Sequence, residues 1–143
     1  MDDALREAYR NTTFQAETPV GKVAIRIGKC SADVDELLRR NNATEWGFIT
    51  AHNPASQVLT PEENRERHKE LEADVRTCGL TYFQGEGIGA DPEWLPETSL
   101  LILGLDCSAA IELGAKYGQN AIVYGKLGIR AGCRVAQLQV AAK

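Results

Sequence analysis

Seven consecutive residues, Thr50-Ala51-His52-Asn53-Pro54-Ala55-Ser56, gather an imidazole, a carboxamide and a hydroxyl around a rigid proline. His52 is able to move a proton near neutral pH. Glu97 lies between Pro96 and the apolar run Ser99-Leu100-Leu101-Ile102-Leu103. It is the stronger acid/base candidate, because partial burial raises a carboxyl pKa. Ser56 and Ser99 can act as nucleophiles only where His52 comes within hydrogen-bond reach. Asn53, Asn64, Gln119 and Asn120 carry carboxamides, which donate and accept hydrogen bonds at fixed positions. That chemistry suits a nucleobase, a sugar or an amide-bearing ligand. The expected site is therefore Glu97 and His52 as catalytic residues, with Asn53, Ser56, Asn64, Ser99, Gln119 and Asn120 binding the ligand. Each residue also has a structural role open to it. Asn53-Pro54-Ala55-Ser56 makes a plausible turn, Gln119 and Asn120 can cap a helix, and Glu97 can accept buried N–H groups. As a set they favour a ligand site.

Other chemistries find little support. His52 and His68 are the only histidines, and Cys30, Cys78, Cys107 and Cys133 include no C-x-x-C pair. No metal site, redox dithiol or cofactor is expected. Gly85-Glu86-Gly87-Ile88-Gly89 lacks dinucleotide-fingerprint spacing, and Asp91-Pro92 follows where a helix should start. It reads as a loop. Trp46, Trp94 and the tyrosines read as core or loop anchors.

Several elements must position these residues. Residues 2–10 suit a short helix with Leu5, Ala8 and Tyr9 on one side. Residues 13–18 and 22–27 alternate and read as an opening β-hairpin. Ser31 caps a helix with the stripe Val34, Leu37, Leu38, which stops at Asn41-Asn42. Residues 45–50 form a strand. Thr60-Pro61-Glu62-Glu63 is a capping-box start for a helix to about Thr77, closed by Gly79. On that helix Asn64 and His68 continue the inward stripe of Leu71, Val75 and Cys78. Strands follow at 80–84 and 99–103, the latter apolar on both faces and so central. A helix at 108–117, a strand at 121–124 and a last edge strand between Cys133 and Val140 complete the chain.

Connection rules bring the polar residues together. The strands at 45–50 and 80–84, joined by a helix, should point the same way. The strand at 99–103 should run against them, and the helix at 108–117 should return the chain to the same end. One rim then collects His52, Asn53, Ser56, Asn64, the Gly85–Gly89 loop, Glu97, Ser99, Gln119 and Asn120, with His68 facing it. Such strand-end clefts are where α/β folds bind ligands.

The 143 residues suit one domain, 1–143, able to bury a core unaided. The fold class is α+β: a single mixed sheet of five to seven strands carrying two or three helices. A net charge of −4 argues against a general nucleic-acid binder. Past Glu112, however, every charge is positive: Lys116, Lys126, Arg130, Arg134 and Lys143. That segment is either an interaction face or a patch neutralised by the fold. The charged N-terminus lacks an apolar signal core, and no apolar run reaches membrane-spanning length. A cytoplasmic protein with reduced thiols is expected, and the last strand offers a surface for homo-oligomerisation.

In order, Thr50-Ala51-His52-Asn53-Pro54-Ala55-Ser56, Asn64, Pro96-Glu97-Thr98-Ser99 and Gly118-Gln119-Asn120-Ala121 resemble the motifs TAxNPxS, PExS and GQNA of a family of small bacterial proteins known as a domain of unknown function. The resemblance spans about Tyr9 to Gly125. It implies no activity, substrate or cofactor, and points to the same rim. Two functions stay open: a domain that binds, or binds and acts on, a polar, nucleotide-like small molecule, or a non-catalytic protein- or nucleic-acid-interaction or regulatory domain.

Overall fold

The computed structural model describes residues 2–128 and 136–140. In chain order the elements are α1 (Asp3–Arg10), β1 (Thr13–Thr18), β2 (Gly21–Ile25), α2 (Ala32–Arg40), β3 (Glu45–Thr50), α3 (Pro61–Thr77), β4 (Tyr82–Ile88), β5 (Glu97–Leu103), α4 (Cys107–Lys116), β6 (Ala121–Lys126) and β7 (Gln137–Val140). A short 3-10 turn at Pro54–Ser56 joins β3 to α3. The helix ends follow local chemistry. Ser31 and Asp106 each accept a backbone N–H at the start of α2 and α4. Thr60 and Glu63 form a reciprocal capping box on α3.

The strands form one sheet in the order β2-β1-β4-β5-β3-β6-β7, and each neighbouring pair is antiparallel. β3 and β4 do point the same way, as the crossover rule expects. They make no parallel ladder, because β5 inserts between them and pairs antiparallel with both. The class is α+β with seven strands; it differs from a mixed sheet in this one respect. The described helices number four rather than two or three, α1 included.

Side-chain alternation divides the core in two. Phe14, Val23, Ile25, Trp46, Phe48, Leu101 and Val123 face one side, where Val34, Leu37 and Leu38 of α2 pack on them. Ile49, Leu100, Ile102, Ile122 and Tyr124 face the other, against Leu71 and Val75 of α3 and Ala110 of α4. Leu37, Leu71, Leu100 and Leu101 are fully buried, each stabilising the fold by about 1.5–3 kcal/mol. The sheet curls around the α2 face. β2 and β7 stand at opposite ends of the strand order, yet Ile27 bridges Ala136, and the Gly28 N–H donates to the Ala136 carbonyl at 2.9 Å. The result is a half-closed barrel with a mouth.

Two expectations need correction. Residues 85–88 are not loop; they extend β4, paired with β1 on one side and β5 on the other. Gly85 supplies part of the reason. A Cβ there would sit 2.3 Å from the Gln15 carbonyl and 3.0 Å from the Phe48 ring, so glycine is what lets these strands approach. Cys78 and Cys107 are free thiols, but Cys30 is disulfide-bonded, so reduced thiols do not hold throughout. Of the basic segment, Lys116 pairs with Asp74 at 2.7 Å. Arg130, Arg134 and Lys143, and the Cys133 end of the expected last strand, lie outside the described residues. Among the described residues no helix is long and apolar enough to cross a membrane.

Candidate functional site

The strand directions bring four chain segments to one rim. β3 ends there at Thr50, β5 starts there at Glu97, β6 starts there at Ala121 and β4 ends there at Ile88. In the ladders Thr50 lies opposite Ser99, and Gly87 lies opposite Glu97.

Asn53 is the hub of this rim. Its backbone is left-handed, with φ 45°, a conformation asparagine tolerates better than most residues. Its N–H donates to Asn64 Oδ1 at 2.9 Å, and Asn64 Nδ2 donates back to Asn53 Oδ1 at 2.9 Å. The same Oδ1 accepts the Leu59 N–H at 3.0 Å. Asn53 Nδ2 donates to Glu97 Oε2 at 2.9 Å. Asn53 thus fixes the loop to α3 and holds the carboxylate of β5.

The 117–120 segment locks against this loop. Gln119 Nε2 donates to the His52 carbonyl at 2.9 Å, and Asn120 Nδ2 donates to Ser56 Oγ at 3.1 Å. The Ala55 N–H donates to the Gly118 carbonyl at 2.8 Å. Arg67 Nε donates to the Ala51 carbonyl at 2.6 Å, and Arg67 Nη2 to the Tyr117 carbonyl. Most of the carboxamides are therefore committed to the protein itself. Ser99 Oγ donates to the Glu97 carbonyl at 2.9 Å.

Beside this network a cavity of about 460 Å³ opens at the barrel mouth. Its floor is Phe14, Phe48 and Val123 on the α2 face of the sheet, and α1 covers it with Leu5, Ala8 and Tyr9. Asn53, Ser56, Glu97, Ser99, Gln119 and Asn120 form its polar wall. The loop between β4 and β5 forms the lip, with Trp94 60% and Leu95 85% exposed. Gly87, opposite Glu97, gives no side chain to the inner face, which leaves room beside the carboxylate.

Burial raises the Glu97 pKa above its ordinary value, and the Asn53 hydrogen bond only partly opposes this. Tyr9 is pushed up to about 12 by burial, then by the charge of Glu97, with Ala121 backbone hydrogen bonding in opposition. Among the described residues Asn53 is the only hydrogen-bond partner of the Glu97 carboxylate, and no Lys, Arg or His lines the cavity.

Six of the eight residues anticipated from sequence line the cavity. Asn64 sits behind Asn53, buried and hydrogen-bonded to it. His52 does not line the cavity; its ring lies edge-on to His68, with centroids 6.2 Å apart. Burial lowers its pKa, with His68 and Arg67 adding to the effect. Among the described residues no hydrogen bond joins His52 to Ser56 or Ser99, which leaves neither serine activated. His68 Nε2 meets Gln84 Oε1 at 2.9 Å, on the α3 side. Among the described residues no group of three or more His, Cys, Asp or Glu could hold a metal.

Sequence reasoning placed Gly87 at the rim, and missed Tyr9, Phe14, Phe48, Trp94 and Arg67. The Leu5, Ala8, Tyr9 stripe was a signal for the first: an apolar face on a helix too short to be core. The closing of a curled sheet, which puts α1 over the rim, has no signature in local spacing.

No curated protein matches the chain, and no solved structure does. A family model described as "Protein of unknown function (DUF3293)" matches residues 49–122. That span runs from the end of β3 to the start of β6 and contains the whole Asn53, Asn64, Glu97, Gln119 and Asn120 network. Covering just over half of the chain, the match shows that the chain belongs to the DUF3293 family.

Proposed function

We propose that this protein binds a small molecule in the mouth of its curled sheet. The observation that carries the reading is the cavity of about 460 Å³, which joins an aromatic floor to a polar wall anchored by Glu97. That volume falls within the range of ligand pockets, and a mostly apolar lining with a few fixed polar groups is their usual character. Phe14, Phe48 and Trp94 suit a flat body of nucleobase size, while Glu97, Ser99 and Thr50 suit its polar end. Phosphates fit poorly, because the ionised groups among the described lining residues, Glu97 and Asp91, are acidic. A nucleobase-like body is therefore favoured over its phosphorylated forms. Glu97 is also the group able to take a proton from a bound N–H.

The test is a panel of nucleobases, nucleosides and aromatic metabolites, read by thermal shift and by amide chemical-shift mapping. A ligand held at 100 times its dissociation constant adds about 2.7 kcal/mol to stability. The shifts should cluster on Tyr9, Asn53, Trp94 and Glu97. Stabilising ligands whose shifts map to the α3 face instead would sink the reading.

A further inference from the structure

We infer that the ligand carries an organic cation at its polar end, an amidinium- or ammonium-type head seated on Glu97 and walled by aromatic rings. The inference rests on the reading of the barrel mouth as a small-molecule site. Three observations meet there.

First, the Glu97 carboxylate is half-buried at the cavity wall, and Asn53 Nδ2 is its one described hydrogen-bond donor. A carboxylate offers about four acceptor positions, so most of its capacity is not taken up by the described residues, and the side chain lines the cavity. Second, Glu97 has no cationic partner among the described residues that line the cavity, and Asp91 adds a further acid at the lip. A carboxylate withdrawn from water without a counter-charge is costly, and an incoming cation offsets that cost. Third, Tyr9, Phe14, Phe48 and Trp94 bring four aromatic rings to the same cavity. Ring faces attract cations, most strongly where water is excluded. An anion meets the opposite at every one of these positions. A neutral head could hydrogen-bond to Glu97 but would leave its charge unbalanced.

The experiment uses three probes of nearly one shape on the full chain at neutral pH: benzamidine (cation), benzamide (neutral) and benzoate (anion). Affinities come from titration, and the location from amide shifts of Asn53, Trp94 and Ala121. Benzamidine should bind about tenfold tighter than benzamide or more, the ratio expected between charged and neutral hydrogen bonding, with benzoate weakest. Glu97→Gln keeps the shape and removes the charge. It should bring benzamidine and benzamide to within about twofold of each other while leaving benzamide nearly unchanged. As a second measurement on the unsubstituted chain, benzamidine binding should weaken as Glu97 becomes protonated on acidification, and benzamide binding should not. Benzamide or benzoate binding as tightly as benzamidine, with shifts at the cavity residues, overturns the cationic class and leaves the cavity reading standing. Failure of all three to shift the cavity residues overturns both.

Discussion

Glu97 links the proposed site to a cost in stability. Burial favours its protonated form more than the single Asn53 hydrogen bond favours its charged one, so its pKa is raised on folding. The sign of the stability effect follows. Between the ordinary value of 4.5 and the raised folded value, the folded state holds more proton than the unfolded state. Stability therefore falls as pH rises through that window and stays low above it. Glu97→Gln has no such slope. Urea denaturation should find the variant close to the parent at pH 3.5 and more stable than it at pH 7. A variant less stable at pH 7 would mean that the charge is compensated inside the fold. His52 gives the opposite slope, since burial lowers its pKa and acid must charge a half-buried ring; its contribution is lost as pH falls below 6.5. The two are separable because Glu97→Gln leaves the histidine slope in place.

Among the elements, the two rim segments fit together through the motif residues. Gly118 has φ +71°, and a Cβ on it would lie 2.9 Å from Pro54 Cβ. Gly79, which ends α3, has the same φ of +71°, but open space around its Cβ position. Gly79→Ala should cost about 1–2 kcal/mol, the left-handed penalty alone. Gly118→Ala should cost more, roughly 2–4 kcal/mol, because Pro54 must also move. Chemical denaturation of both variants isolates the docking of the loop on the 117–120 segment, and equal losses would refute that docking. This is also where the sequence was most and least legible. Helix caps such as Ser31 and Thr60 are local, so spacing reveals them. The direction of β5 and β6 follows from connection rules, which brought Asn53, Glu97 and Asn120 to one rim. What the carboxamides do there was not legible, because the Asn53–Glu97, Gln119–His52 and Asn120–Ser56 partners lie 44 to 67 residues apart. They were read as arms for a ligand, and their hydrogen bonds go mainly to the protein. The β4 glycines were read as loop because glycine has poor strand propensity. The strands on both sides of β4 override that preference.

For the whole molecule, the curled sheet could have closed over a filled core, and instead it leaves a cavity at one end. Gly85 and Gly87 are two residues apart on the inner face of β4, and they differ in what a side chain would meet. A Cβ at Gly85 collides with the Gln15 backbone, whereas one at Gly87 meets Phe14 at 3.6 Å and Thr12 at 3.7 Å, ordinary contact distances. Gly87 has no positive φ to preserve. Packing alone would therefore accept a side chain at Gly87. Gly87→Ala should leave stability unchanged or raise it by about 0.4–1 kcal/mol, through the lower entropy of the unfolded chain and added contact with Phe14. It should at the same time weaken binding of any ligand in the mouth, since the new methyl group enters the space beside Glu97. Gly85→Ala should cost about 1–3 kcal/mol through overpacking. Denaturation and ligand titration of the two variants, run side by side, check the pair. Gain in stability with loss of binding at Gly87 is the signature of a cavity kept open for occupancy, because natural folds retain such defects where function needs them. Loss of stability at Gly87 with binding intact would mean that the empty space serves the packing of β4 and not a ligand.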